Sequence, residues 1–90
     1  MNEVLTEHIH ISYKSNTGEP VIKNTNVSVR AVAEWWLMGA QPEEIVHHLP
    51  HLTLSQVFDA LSYYGDHKLE IEKYIEENSI VEELSGTRLS

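Results

Sequence analysis

"PEEIVHHLPHLTLSQVFDALSYY", residues Pro42 to Tyr64, is the stretch that decides how this chain folds. Pro42 suits the first turn of a helix, where its missing N–H costs nothing, and Glu43 and Glu44 favour the positive end of the helix dipole. Ile45, Val46 and Leu49 then share an inward face, and Pro50 stops the helix. Leu52 fills a corner, Thr53 caps a following helix, and Leu54, Val57, Phe58 and Leu61 form its buried stripe. Two helices joined by a tight corner have the shape of a DNA-reading helix-turn-helix. Yet the stretch holds three acids, Glu43, Glu44 and Asp59, and no Lys or Arg. Shape and charge point in different directions.

Upstream, Ser28 is a good N-cap for a helix over Val29 to Met38, and Gly39 supplies a left-handed C-cap. Val29, Val32, Ala33 and Trp36 recur at i, i+3, i+4 and i+7, one apolar stripe. Trp35, Leu37 and Met38 fall off it, so this helix is apolar around much of its girth and is either central to the fold or buried in a dimer. Further upstream, "HIHISY" alternates strictly: Ile9, Ile11 and Tyr13 on one face, His8, His10 and Ser12 on the other, the pattern of a half-buried strand. "KSNTGE" reads as a turn and "PVIKN" as a second short strand. A two-stranded hairpin is not stable alone in water and must pack on the helices or on another chain. Downstream, Gly65 is expected to end or bend the third helix and Asp66 to cap a fourth, with Ile71, Tyr74, Ile75 and Asn78 on one face. The apolar pattern continues with Ile80, Val81 and Leu84, and "SGTRLS" reads as a frayed tail.

The whole chain, 90 residues, makes one domain: flexible ends at 1–8 and 79–90, hairpin and linker at 9–27, helical core at 28–78. It lacks cysteine, which excludes disulfides and thiolate metal sites and suits a reducing cytosol. No apolar run approaches a membrane span, and "MNEVLTEHIH" has no signal-peptide pattern, so a cytoplasmic protein without membrane contact is expected. Net charge is −8, and seven acids fall in residues 66–90 against Lys68, Lys73 and Arg88. Such a chain repels the phosphate backbone, because non-specific DNA affinity comes from Lys and Arg displacing counterions.

Gly18, Pro20, Ile22 and Thr25, then Pro42, Glu43, Glu44, Ile45, Pro50, Leu52 and Thr53, and finally Ala60, Leu61, Tyr63, Tyr64, Asp66 and His67 form an ordered set. Over about residues 9–78 this set resembles the domain of unknown function family 433. The resemblance implies a mainly α fold: a homeodomain-like three-helix core containing the helix-turn-helix, an N-terminal β-hairpin and a C-terminal helix. Some family members look like VapB-type antitoxins, which neutralise a partner ribonuclease and repress their own operon. The family's usual Gly-Thr-Arg is Asn24-Thr25-Asn26 here, which removes a planar guanidinium fork.

Candidate DNA contacts are Ser55, Gln56 and Ser62 on the third helix, where Asp59 and Tyr63 also face outward, with Lys14, Lys23 and Arg30 as phosphate anchors. Candidate dimer-interface residues are Ile9, Ile11, Trp35, Trp36 and Met38, since Trp is enriched in interfaces. His47, His48 and His51 lack metal-ligand spacing, because Pro50 breaks the helix between them, and read as surface histidines. His8 and His10 read the same way. There is no catalytic constellation and no phosphate-cradling loop, so neither an enzyme nor a cofactor is expected. The leading expectation is an antitoxin-like or regulatory protein acting through protein–protein contacts, as a homodimer and with a basic, toxin-like partner. DNA binding would be weak or partner-dependent. A dimeric helix-turn-helix repressor is the alternative, and a small enzyme or metal-binding domain stands a distant third.

Overall fold

The computed structural model describes the backbone of residues 8–85 and the side chains of residues 8–78. The fold is mainly helical, with four helices following a small antiparallel two-stranded sheet. Strand β1 (Ile11–Tyr13) pairs with β2 (Pro20–Ile22) in the register Ile11↔Ile22, Ser12↔Val21 and Tyr13↔Pro20. Gly18 closes the hairpin at φ +77°, with its N–H on the Lys14 carbonyl. The strand is shorter than the alternation predicts. Residues His8 to His10 form a turn, held where Ile11 N–H reaches the His8 carbonyl and Lys23 N–H the His10 carbonyl.

The linker after β2 is a second turn. Asn24 takes φ +66°, at the position that Gly fills in the Gly-Thr-Arg pattern. The Thr25 hydroxyl donates to the Ile22 carbonyl (2.8 Å) and accepts from Val27 N–H (2.9 Å). Here Asn stands in for Gly because it tolerates the left-handed region better than most residues.

Helix α1 (Val29–Leu37) starts as predicted, with Ser28 Oγ accepting from Ala31 N–H at 3.0 Å. It ends where Gly39 turns left-handed at φ +98°. Val29, Val32 and Ala33 are fully buried. Trp36 is not: 43% of it is open, and Trp35 is the tryptophan that packs against the core. The predicted stripe has the right phase, but at its last turn α1 faces a groove rather than a covering helix.

Helix α2 (Pro42–His48) begins with Gln41 N–H on Glu44 Oε1 at 2.7 Å and buries Ile45 completely. Leu52 fills the corner, and Thr53 and Gln56 cap helix α3 (Leu54–Asp66) reciprocally. The α3 stripe is rotated from the predicted one. Val57, Ala60, Tyr63 and Tyr64 are buried, whereas Phe58 is 52% exposed and Leu54 also lies open. Gly65 does not end α3, which runs one residue past it. Asp66 is the last residue of α3 rather than a cap, and His67 makes the corner into helix α4 (Lys68–Ser85). Helix α4 contributes Ile71 to the core, and its backbone stays helical through Ser85, past the predicted limit at Asn78. Asn78 turns back on its own helix, donating to the Tyr74 carbonyl. The predicted contributions of Ile80, Val81 and Leu84, and the tail 86–90, lie outside the described side chains, as do residues 1–7.

One core joins all these elements: Ile22, Val29, Val32, Ala33, Ile45, Val57, Ala60 and Ile71, each fully buried. Each buried Ile or Val contributes about 1.5–3 kcal/mol relative to exposure. The hairpin is fastened to α1 by Arg30 Nε on Glu19 Oε2 at 2.9 Å, a pair whose carboxylate is almost completely buried.

Candidate interaction surface

The two flanks of α3 carry different chemistry. On one flank a groove of about 610 Å³ lies between the last turn of α1 and α3 from Phe58 to Gly65. Trp36, Leu37 and Phe58 line it and are all exposed, with Leu61, Pro42 and Tyr64 alongside. Gly65 adds no side chain, and a Cβ there would meet nothing within 4 Å. Lys68, the first residue of α4, is the one charged residue in the lining. Met38 continues the apolar surface at 68% exposure. A groove with apolar walls and a single ammonium group offers area for an apolar partner and gives few polar groups to desolvate.

The opposite flank is polar and internally paired. His8 Nδ1 lies 3.2 Å from Asp59 Oδ1, and Nε2 lies 3.0 Å from Asp66 Oδ2. His10 N–H donates to the other Asp59 oxygen at 2.7 Å. Tyr13 OH donates to Tyr63 OH, which donates to Glu70 Oε1 at 3.1 Å. The Tyr63 ring stacks on His67 with centroids 4.2 Å apart. Burial, reinforced by the hydrogen bonds to Tyr13 and Glu70, pushes the Tyr63 phenol far above its ordinary range. Burial and the hydrogen bond to Glu72 also raise the Tyr64 phenol, and burial with the charge of Glu70 raises that of Tyr74. Tyr63 and Tyr64 are therefore hydrogen-bond donors, and all three phenols keep their protons at physiological pH.

This flank corrects several expectations. Asp59 and Tyr63 were expected to face outward; Tyr63 is buried and Asp59 is held by two residues from before β1. His8 is not a free surface histidine or part of a flexible end, and His10 is tied in through its backbone. Sequence reading missed this cluster, although one signal was available. Asp59 and Asp66 are seven apart on one helix, hence on one face, with Tyr63 between them.

The remaining candidates separate cleanly. Ser55 and Ser62 are exposed on α3. Gln56 is half-buried, and its side-chain oxygen is committed to the cap. Lys14 and Lys23 are exposed on the hairpin, while Arg30 is engaged by Glu19 and is not a free anchor. Among the interface candidates, Ile9, Trp36 and Met38 are exposed, and Trp35 is half-buried with its indole stacked on His48. Ile11 is corrected: it is a core residue, because the short strand turns its side chain onto the helices. His47, His48 and His51 are exposed, and no three His, Asp or Glu among the described residues are arranged to hold a metal ion.

No helix among the described residues is long and apolar enough to cross a membrane. No curated protein and no solved structure matches the chain. A family model described as "Protein of unknown function (DUF433)" matches residues 9–64, from the turn before β1 to the buried Tyr64. It spans the hairpin, α1, α2 and most of α3, and by that match the chain belongs to the DUF433 family.

Proposed function

We propose that the protein is a cytoplasmic antitoxin-like or regulatory protein that acts through protein–protein contacts. The observation that carries this reading is the apolar groove between α1 and α3, with Trp36, Leu37 and Phe58 open along it. Exposed apolar area of this kind on a chain of net charge −8 favours protein partners over polyanions. A second copy is one occupant, giving a homodimer through the end of α1; a basic, toxin-like partner would meet the acidic α4, where Glu76 and Glu77 are exposed.

The α2–Leu52–α3 arrangement supports a second reading, a homeodomain-like helix-turn-helix repressor, through Ser55 and Ser62 on the open side of α3. Charge argues against strong DNA binding by the free protein, since α2 and α3 hold no Lys or Arg. Light scattering and a titration against random duplex DNA test both readings. The expected outcome is a mass near twice 10.3 kDa with no DNA binding at low micromolar protein near physiological salt. Tight, salt-sensitive DNA binding would instead select the repressor, and a well-folded monomer would remove the dimer.

A further inference from the structure

We propose that His8 is a proton-dependent clasp: with both ring nitrogens protonated it pins the segment leading into β1 onto α3, and it releases when one proton leaves. The argument is an inventory of donors and acceptors. Both ring nitrogens lie within hydrogen-bond distance of carboxylate oxygens, Asp59 Oδ1 at 3.2 Å and Asp66 Oδ2 at 3.0 Å. An ionised carboxylate only accepts, and a neutral imidazole has one N–H. Two such contacts on one ring require two N–H groups, which is the imidazolium, and each is then a charge-assisted bond. The ring is also sheltered on its Asp59 side. The His8 side chain is 9% exposed, and the Tyr63 ring meets it edge-on with centroids 5.2 Å apart.

Every charged group around the clasp acts on it. Helix α3 presents Asp59 and Asp66, with Tyr63 between them. The corner presents His67, its ring centroid 6.2 Å from that of His8, and α4 presents Glu70, which lies 3.7 Å from His67 Nδ1 and accepts from Tyr63. From the hairpin side, Tyr13 reaches Tyr63 and His10 N–H reaches Asp59. The clasp therefore holds while His8 carries both ring protons, and it opens when one leaves or when the carboxylates themselves take up protons. Opening leaves Asp59 and Asp66 bare on α3, so that face gains uncompensated negative charge as pH rises.

The test uses the full ¹⁵N-labelled chain. Ring ¹⁵N–¹H spectra read the protons on His8, and exchange of the His10 amide, corrected for intrinsic rate, reads the clasp. The Val57 amide, bonded to the Thr53 carbonyl inside α3, is the internal reference. The expected result is that His10 protection falls about threefold or more relative to Val57 over the same pH interval in which the His8 ring passes from two protons to one. Asp66→Asn supplies an N–H that can donate to a bare ring nitrogen, and Asp66 is half exposed, so this variant should keep His10 protection level across the same range. A single ring proton throughout with unchanged His10 protection overturns the clasp, and so does an Asp66→Asn variant with the wild-type pH dependence.

Discussion

On one side of α3, Asp59, Tyr63 and Asp66 all find partners within the chain; on the other, Leu54, Phe58 and the neighbouring Trp36 and Leu37 find none that covers them. Composition alone would suggest the reverse, with the polar side as the active one and the apolar side as core. Burial and pairing decide otherwise. The polar flank is a fastening, where carboxylates and phenols hold the hairpin and α4 in place. The apolar flank has its own chemistry unspent, and that is where a partner would gain most from contact.

Tyr63→Ala should break this comparison most severely. The ring is buried and stacked on His67, so its removal should cost about 3–5 kcal/mol in urea unfolding. A loss under about 1 kcal/mol would mean that the polar flank is ornament rather than fastening. Asp59→Ala should come next, at about 1–3 kcal/mol, because it strands the His10 amide and one side of His8. Trp36→Glu sharpens the contrast from the other side. Folding stability should change by no more than about 0.5 kcal/mol. Self-association, followed by light scattering, should weaken at least about tenfold, a difference of about 1.4 kcal/mol. A dimer indifferent to Trp36 would move the interface to Ile9 and the hairpin.

The gentlest test is alkaline. Burial raises the phenols of Tyr63, Tyr64 and Tyr74 in the folded chain, so the fold favours their neutral form. That contribution is complete below the ordinary phenol range, near about 10, and is lost as pH rises through it toward the higher folded values. Absorbance at the phenolate band should therefore titrate at higher pH in the native chain than in urea. Coincident curves would show a flank open to water.

Much of the fold is legible in the sequence. The caps at Ser28 and Thr53, the proline start of α2 and the left-handed Gly39 are local events between near neighbours, and residue identity alone specifies them. Periodicity located each helix but could not say which part of a stripe another element would cover. Trp36 and Phe58 have the spacing of core residues and lie open along the groove between α1 and α3. The His8 cluster was least legible, since its contacts span 51 and 58 residues of sequence, and two carboxylates on a helix read by default as a solvated face.

The pairing of Trp35 with His48 has an optical consequence. The two rings lie 3.8 Å apart with planes only 2° from parallel, so an imidazole from α2 shields one indole of α1 while the adjacent Trp36 faces solvent. A soluble quencher should reach the emission of Trp36 readily and that of Trp35 less, with the difference narrowing when α2 lifts away. With Trp36→Phe in place, the remaining fluorescence becomes a gauge of whether the second helix is seated on the first, readable without any added label.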